Sequence, residues 1–164
     1  MWGHEDLRDA VRQLLAERLP VELAKVRAYR QVSTPPDPVG VRLSDTLQIM
    51  TAYPVVLVQT PSMSGMLDPG DGYYRLIYQV RIVCAAEVPV ASAHEEASRQ
   101  RDRLSEAVRR VLLLPSGSLP AEVTIDTSSI TESHGPAGET LVGRPLAVSQ
   151  TSVKVMVFER LEGI

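Results

Sequence analysis

From Tyr73 to Ala86 the chain alternates strictly. Tyr74, Leu76, Tyr78, Val80, Ile82 and Cys84 fall on one set of positions, and Tyr73, Arg75, Ile77, Gln79, Arg81 and Val83 on the other. Successive side chains of a strand point to opposite faces, so this predicts one long strand with an apolar face and a mixed face. At ~3.4 Å per residue it would exceed ~40 Å. A second alternation, from about Leu146 to Glu159, sets Val153, Val155 and Val157 against Lys154, Met156 and Phe158. Pro54 precedes a β-branched run, Val55-Val56-Leu57-Val58-Gln59, which reads as a buried strand. A weaker strand is expected over Glu122–Glu132, around Val123, Ile125 and Ile130.

Two stretches carry a helical period instead. Leu7, Val11, Leu14 and Leu15 form one stripe, with Glu5, Asp6 and Asp9 in the first turns, where the helix dipole favours negative charge. Pro20 is expected to end or kink this helix. Val21–Tyr29 reads as either helical or extended. Later, Ala93, Ala97, Leu104, Val108, Val111 and Leu112 line one face of a helix that Ser92 and Glu95 would open as a capping box. Glu95–Arg99 and Glu106–Arg110 have the spacing of favourable i, i+4 pairs, and Leu114-Pro115-Ser116-Gly117 stops the helix.

Between these elements lie breaks. Thr34-Pro35-Pro36-Asp37-Pro38 interrupts regular structure, and Leu43–Met50 is ambiguous. Thr60–Gly72 reads as a long hairpin loop with Met63 and Met66 exposed, and Ser133–Pro145 as a second long loop. The expected class is α+β: a small, mostly antiparallel sheet of about four strands, with an N-terminal helix and one long helix packed on one face. The 164 residues suit one domain, with residues 1–50 an N-terminal helical region and 54–159 the sheet and main helix.

Composition adds exclusions. Apolar residues make up 44% and charged residues 23%, ordinary for a globular chain. Formal net charge is −3, so no overall basic bias points to nucleic acid. Cys84 is the only cysteine, so no internal disulfide can form. The first residues lack a basic stretch followed by an apolar run, and no apolar run approaches the length of a bilayer span. The reading is of a protein kept in a cytosol-like compartment.

Candidate chemistry is thin. His94-Glu95-Glu96-Ala97-Ser98 begins like the zinc-protease helix, but serine stands where the second histidine must be. His4, His94 and His134 have no ligand spacing, and no metal site is expected. Asp68 and Asp71 lack the alternating acids and closing glutamate of a calcium loop. Gly135–Gly143 has no Gly-Lys-Ser/Thr, and no Gly-x-Ser-x-Gly elbow occurs. Cys84 falls on the apolar face of the long strand, as a structural thiol would. No catalytic residue and no cofactor is assigned. A small α/β enzyme or ligand-binding domain stays as the competing class, and it needs a pocket of converging polar groups.

The order of elements resembles the tail-terminator (tail-completion) proteins of long-tailed bacteriophages. The residues that carry it are the helix Asp6–Arg18 ending at Leu19-Pro20, the strand Pro54–Val58, the strand Tyr73–Val83, the helix core Arg101–Leu112 and the terminal strand Ser152–Val157. It covers about three quarters of the chain and rests on pattern and order, not on an invariant motif. Val21–Thr51 departs from it by its length. The resemblance implies a structural virion protein assembled in the bacterial host cytoplasm. A homohexameric ring would cap the tail tube, end its polymerisation and join it to the head-neck complex. Its partners would be the major tail tube protein and a head-tail connector or stopper. Neither a membrane nor specific nucleic-acid recognition is implied, and DNA would pass through the ring lumen. Another neck component is the alternative within this class. A closing ring needs head-to-tail contacts. Candidates for them are Met63, Met66, Leu67 and Asp68 on the hairpin tip and Arg75 and Arg81 on the mixed face of the long strand. The tip would either repack on a partner or fold back on its own sheet. The two arginines would either form inter-subunit ion pairs or sit on a solvated face.

Overall fold

A computed structural model describes residues 2–38, 40–45, 52–67, 72–87, 94–114, 119–135, 138–139 and 145–160. Helix α1 spans His4–Arg30 and α2 spans His94–Leu113. The strands are β1 (Val41–Leu43), β2 (Val55–Val58), β3 (Ser62–Leu67), β4 (Tyr73–Glu87), β5 (Val123–His134), β6 (Gly138–Glu139) and β7 (Pro145–Arg160). The class is α+β, as expected. The main sheet path runs β1-β2-β4-β7-β5, with β3 on β4 and β6 on β7. Every pairing is antiparallel except β1 with β2.

The sheet is larger than four strands for a specific reason. Ser62–Leu67 lies inside the stretch expected to be loop, yet it pairs with Gln79 through Arg75 on β4. Its serines, glycine and methionines have little strand propensity of their own; the neighbouring ladder overrides that. β2 and β3 lie along the same margin of β4, and the Gln59 amide donates to the Arg81 carbonyl at 3.0 Å between them. Together these strands make one long hairpin. Its turn, with Asp68 and Asp71, lies outside the described residues.

Pro20 does not end the first helix, which runs on to Arg30. Proline removes one backbone donor inside a helix. Here it sits on the exposed side, where water meets the carbonyl left over, while Glu22, Leu23 and Val26 one turn on are buried. That burial fixes Val21–Tyr29 as helix. Asp6 accepts from the Gly3 amide at 2.9 Å at one end, and Gln31 closes the other in the left-handed conformation, φ 55°. The capping box expected at Ser92 lies outside the described residues.

Both helices cover one face of the sheet. Leu7, Leu14, Leu15, Leu23, Leu104, Val108 and Leu112 pack with Tyr78, Val80, Ile82, Cys84, Val153, Val155 and Val157. A second, smaller cluster lies on the other face at one end: Val55, Leu57, Val83, Ala85 and Leu146, with Tyr53 and Val148 against it. Among the described residues, no helix covers the rest of that face.

Helix α2 is tied to α1 by charge as well as by packing. Glu22 is fully buried and accepts from Arg110 at 2.9 Å and Lys25 at 3.0 Å. Burial pushes its carboxyl up, but the bonds from Arg110 and Lys25 outweigh this and hold it below the ordinary carboxylate range. Glu106 takes Arg30 of α1 at 2.7 Å. The pair Glu106–Arg110 expected along α2 gives way to these two bridges across the helices, whereas Glu95–Arg99 forms as expected.

Candidate functional site

The hairpin presents two surfaces. The first is the outer margin of β3. Among the described residues this strand pairs with β4 alone. Its sequence, Ser62-Met63-Ser64-Gly65-Met66-Leu67, has no charge and no proline. Met63, Met66 and Leu67 are 55%, 58% and 52% exposed. Strand edges left open in water are normally guarded by lysine, proline or a short length. This one has none of the first two. A register shift between Met63 and Gly65 adds a bulge, where the Ser64 hydroxyl donates to the Ile77 carbonyl at 3.2 Å. On the opposite margin of the sheet, among the described residues, β5 pairs with β7 alone.

The second surface is the sheet face that the helices leave open. Register fixes its members. Arg75 lies opposite Phe158, Ile77 opposite Met156, Gln79 opposite Lys154, Arg81 opposite Ser152 and Tyr73 opposite Arg160. The Arg75 guanidinium sits 4.7 Å over the Phe158 ring, and that of Arg160 5.7 Å over Tyr73. The candidate residues therefore divide. Leu67, Arg75 and Arg81 share the open face, while Met63 and Met66 are in register with Tyr78 and Leu76, which point to the helix side. Asp68 lies outside the described residues. The sequence pattern missed Arg42, in register with Leu57, and Arg160 as members of this face. Lys154 and Phe158 were placed on a mixed face of their own strand. Only cross-strand register joins them to Arg75.

Several clefts among the described residues open to solvent. One, of about 390 Å³, is lined by Arg30, Val32, Arg99, Asp102 and Arg103. Its arginines are already bound to Glu106, Glu95 and Glu96. Another meets Trp2, Tyr73, Glu122, Phe158, Glu159 and Arg160 at the edge of the open face. In a third, Asp45 accepts from the Thr60 amide at 2.7 Å and its hydroxyl at 2.8 Å. Those bonds hold the Asp45 carboxyl below its ordinary range, with Arg8 adding to the effect. The bond network ties the end of β1 to the break between β2 and β3. Among the described residues no group of three or more His, Cys, Asp or Glu gathers to hold a metal ion, and no helix is long and apolar enough to cross a membrane.

Cys84 lies between the sheet and α2, beside Ser105 and Ser149, whose hydroxyls bond to each other. Burial pushes its thiol up to about 12, with the Ser105 and Ser149 bonds lowering it only in part. The thiolate is the reactive form. Ellman's reagent at pH 8 is expected to leave Cys84 unmodified in the folded protein and to titrate it fully in denaturant. Rapid native labelling would show that α2 opens from the sheet.

No protein-family model matches the chain, and no curated protein matches its sequence.

Proposed function

We propose that the chain is the subunit of a structural ring of tail-terminator type, which closes a phage tail tube and joins it to the neck. The observation that carries the reading is the unguarded β3 margin, with the β5 margin on the far side of the same sheet. An edge that is apolar, uncharged and more than half exposed is suited to adding a strand or surface from another chain. Two different open margins on opposite sides favour head-to-tail contacts, which close into rings, over self-matching dimers. The order of helix, hairpin, long strand, helix and terminal strand supports the phage role by resemblance. The ring would be a homohexamer, with the tail tube protein and a connector or stopper as axial partners.

The test places a charge on the margin. The double variant Met63→Lys, Met66→Lys alters two exposed side chains, so the fold is expected to stay intact by circular dichroism. Assembly onto purified tail tubes, read by electron microscopy and co-sedimentation, is expected to fall at least tenfold. Deleting the gene from the genome that encodes it is expected to give over-long or headless tails. Normal virions from the deletion, or wild-type assembly by the double variant, refutes the reading.

A further inference from the structure

We propose that β3 of one copy pairs edge to edge with the first part of β5 in the next, so that the sheets of successive copies join into one. The inference rests on the ring reading for its second copy, and it names the contact. Direction, height and backbone orientation fit the two margins to each other among the described residues. Direction comes first. β3, β4, β7 and β5 lie side by side, and each neighbouring pair is antiparallel. Alternation across these strands leaves β3 and β5 pointing oppositely. A copy set beside another the same way up, with its helices on the same side, therefore meets it as an antiparallel pair. Height agrees. Register carried across the sheet puts Met63 level with Tyr78, Val155 and Ile125, and Met66 level with Leu76, Val157 and Val123. Rotation about an axis along the strands brings equal levels together. β3 then meets Glu122–Asp126, and not the stretch Thr131–His134 beyond the register shift of β5.

The backbone decides whether such a pair can bond. In an antiparallel ladder, alternate residues turn their N–H and C=O groups to the same side. The Gln59 amide donates to the Arg81 carbonyl, which sets the odd-numbered residues of β4 toward β2 and β3. Gln79, Ile77 and Arg75 thus face Ser62, Gly65 and Leu67, and Met63 and Met66 are turned outward. On the far margin the Phe158 amide donates to the Glu122 carbonyl. That sets Glu122, Thr124 and Asp126 toward β7 and leaves Val123 and Ile125 outward. The outward residues of both margins therefore stand at the same levels, Met63 with Ile125 and Met66 with Val123. The Val123 amide is taken by the Pro120 carbonyl at 3.0 Å, so Val123 offers its carbonyl alone. An odd count of strands between the margins would break both the direction and the step. Side chains agree as well. Met63 and Met66, more than half exposed, lie on the helix side and fall beside Ile125 and Val123, which belong to the core. Ser62–Leu67 carries no charge, so Glu122 and Asp126 meet no like charge across the contact.

The experiment cross-links Gly65→Cys on one chain to Thr124→Cys on another. Both positions are level with Ile77 and Met156 and lie on the face away from the helices. They would form a non-hydrogen-bonded pair with Cα atoms about 4.5 Å apart, within the span of a disulfide. A Cβ at Gly65 meets Ile77 at 3.7 Å, an ordinary contact, and Thr124 is exposed, so both variants are expected to fold. Cys84 is buried and stays out of the reaction. After oxidation with copper phenanthroline, a mixture of the two single variants should give disulfide-linked dimers on non-reducing gels. Each variant alone should give monomer, and the double variant a ladder ending in a closed species. Dimers of Gly65→Cys alone overturn the proposal, because β3 then pairs with itself. A mixture that stays uncross-linked up to about 1 mM chain overturns it too. In the unmodified chain, hydrogen exchange at the Met63, Met66 and Ile125 amides should slow about tenfold or more as concentration rises, with Gly65 and Thr124 constant; unchanged exchange at all three again overturns it. The contact and the phage role fail separately. Cross-links together with normal virions from the gene deletion keep the contact and remove the role, whereas abnormal tails without cross-links keep the role and remove the contact.

Discussion

Leu104→Ala is expected to lower the unfolding free energy by about 2–5 kcal/mol, the range for removing a buried leucine side chain and leaving a cavity. Leu104 is fully buried on α2, in the cluster that joins both helices to the sheet. The loss would be a large part of the ~5–15 kcal/mol that holds a typical domain folded. In a domain of this size it corresponds to a fall in Tm of about 10 °C. Urea denaturation followed by circular dichroism measures it, with an unchanged slope separating a stability effect from a change in the unfolded state. Leu113→Ala, on an exposed side chain of the same helix, should stay within about 0.5 kcal/mol. Equal effects at the two positions would mean that α2 does not seat on the sheet through the Leu104 face.

Glu22→Gln is expected to cost about 1–3 kcal/mol near neutral pH, since it removes charged hydrogen bonds from Arg110 and Lys25 at a buried site. The cations retain partial access to water, which keeps the loss below that of a fully buried pair. The pH dependence follows from the direction of the shift. The folded carboxyl titrates below its ordinary value of 4.5, so its stabilisation is present above that value and is lost as pH falls through the lowered folded value. Melts at several pH values should show wild type and variant separated at pH 7 and converging in acid. A constant separation would assign the effect to packing. Asp9→Asn, at an exposed pair 3.7 Å from Arg12, should change little at any pH.

These two residues also mark where the sequence was readable. The inward face of β4, the valines of β7 and the leucine stripe of α1 follow from period alone, because burial on one face enforces it. Glu22 gives no such signal: a glutamate two residues past a proline looks like a surface residue beyond a helix end. Its burial depends on Arg110, far along the chain. β3 was hidden for a related reason, since its residues become a strand only when β4 lies beside them. The open face was half legible. Arg75 and Arg81 stood out by alternation on one strand. Arg42, Lys154 and Arg160 joined them through register, which one sequence does not state. The Met63–Leu67 stretch was chosen for its exposed apolar side chains, and the structure gives it a strand edge instead of a loop.

The middle of the sheet has a kinetic consequence. β7 lies between β4 and β5, and its ladder with β4 joins Tyr73 to Arg160 and Glu87 to Leu146. The hairpin of β2, β3 and β4 closes locally, but β7 must return across α2 and β5 before its pairing contributes anything. Contacts so distant in sequence slow folding, because the entropy of loop closure is lost before they form. Until β7 arrives, β4 shows an open apolar margin along its whole length. The same chain therefore passes through a state with a far longer exposed edge than the one it keeps, and the helices that later cover that sheet are what separate ordered assembly from aggregation.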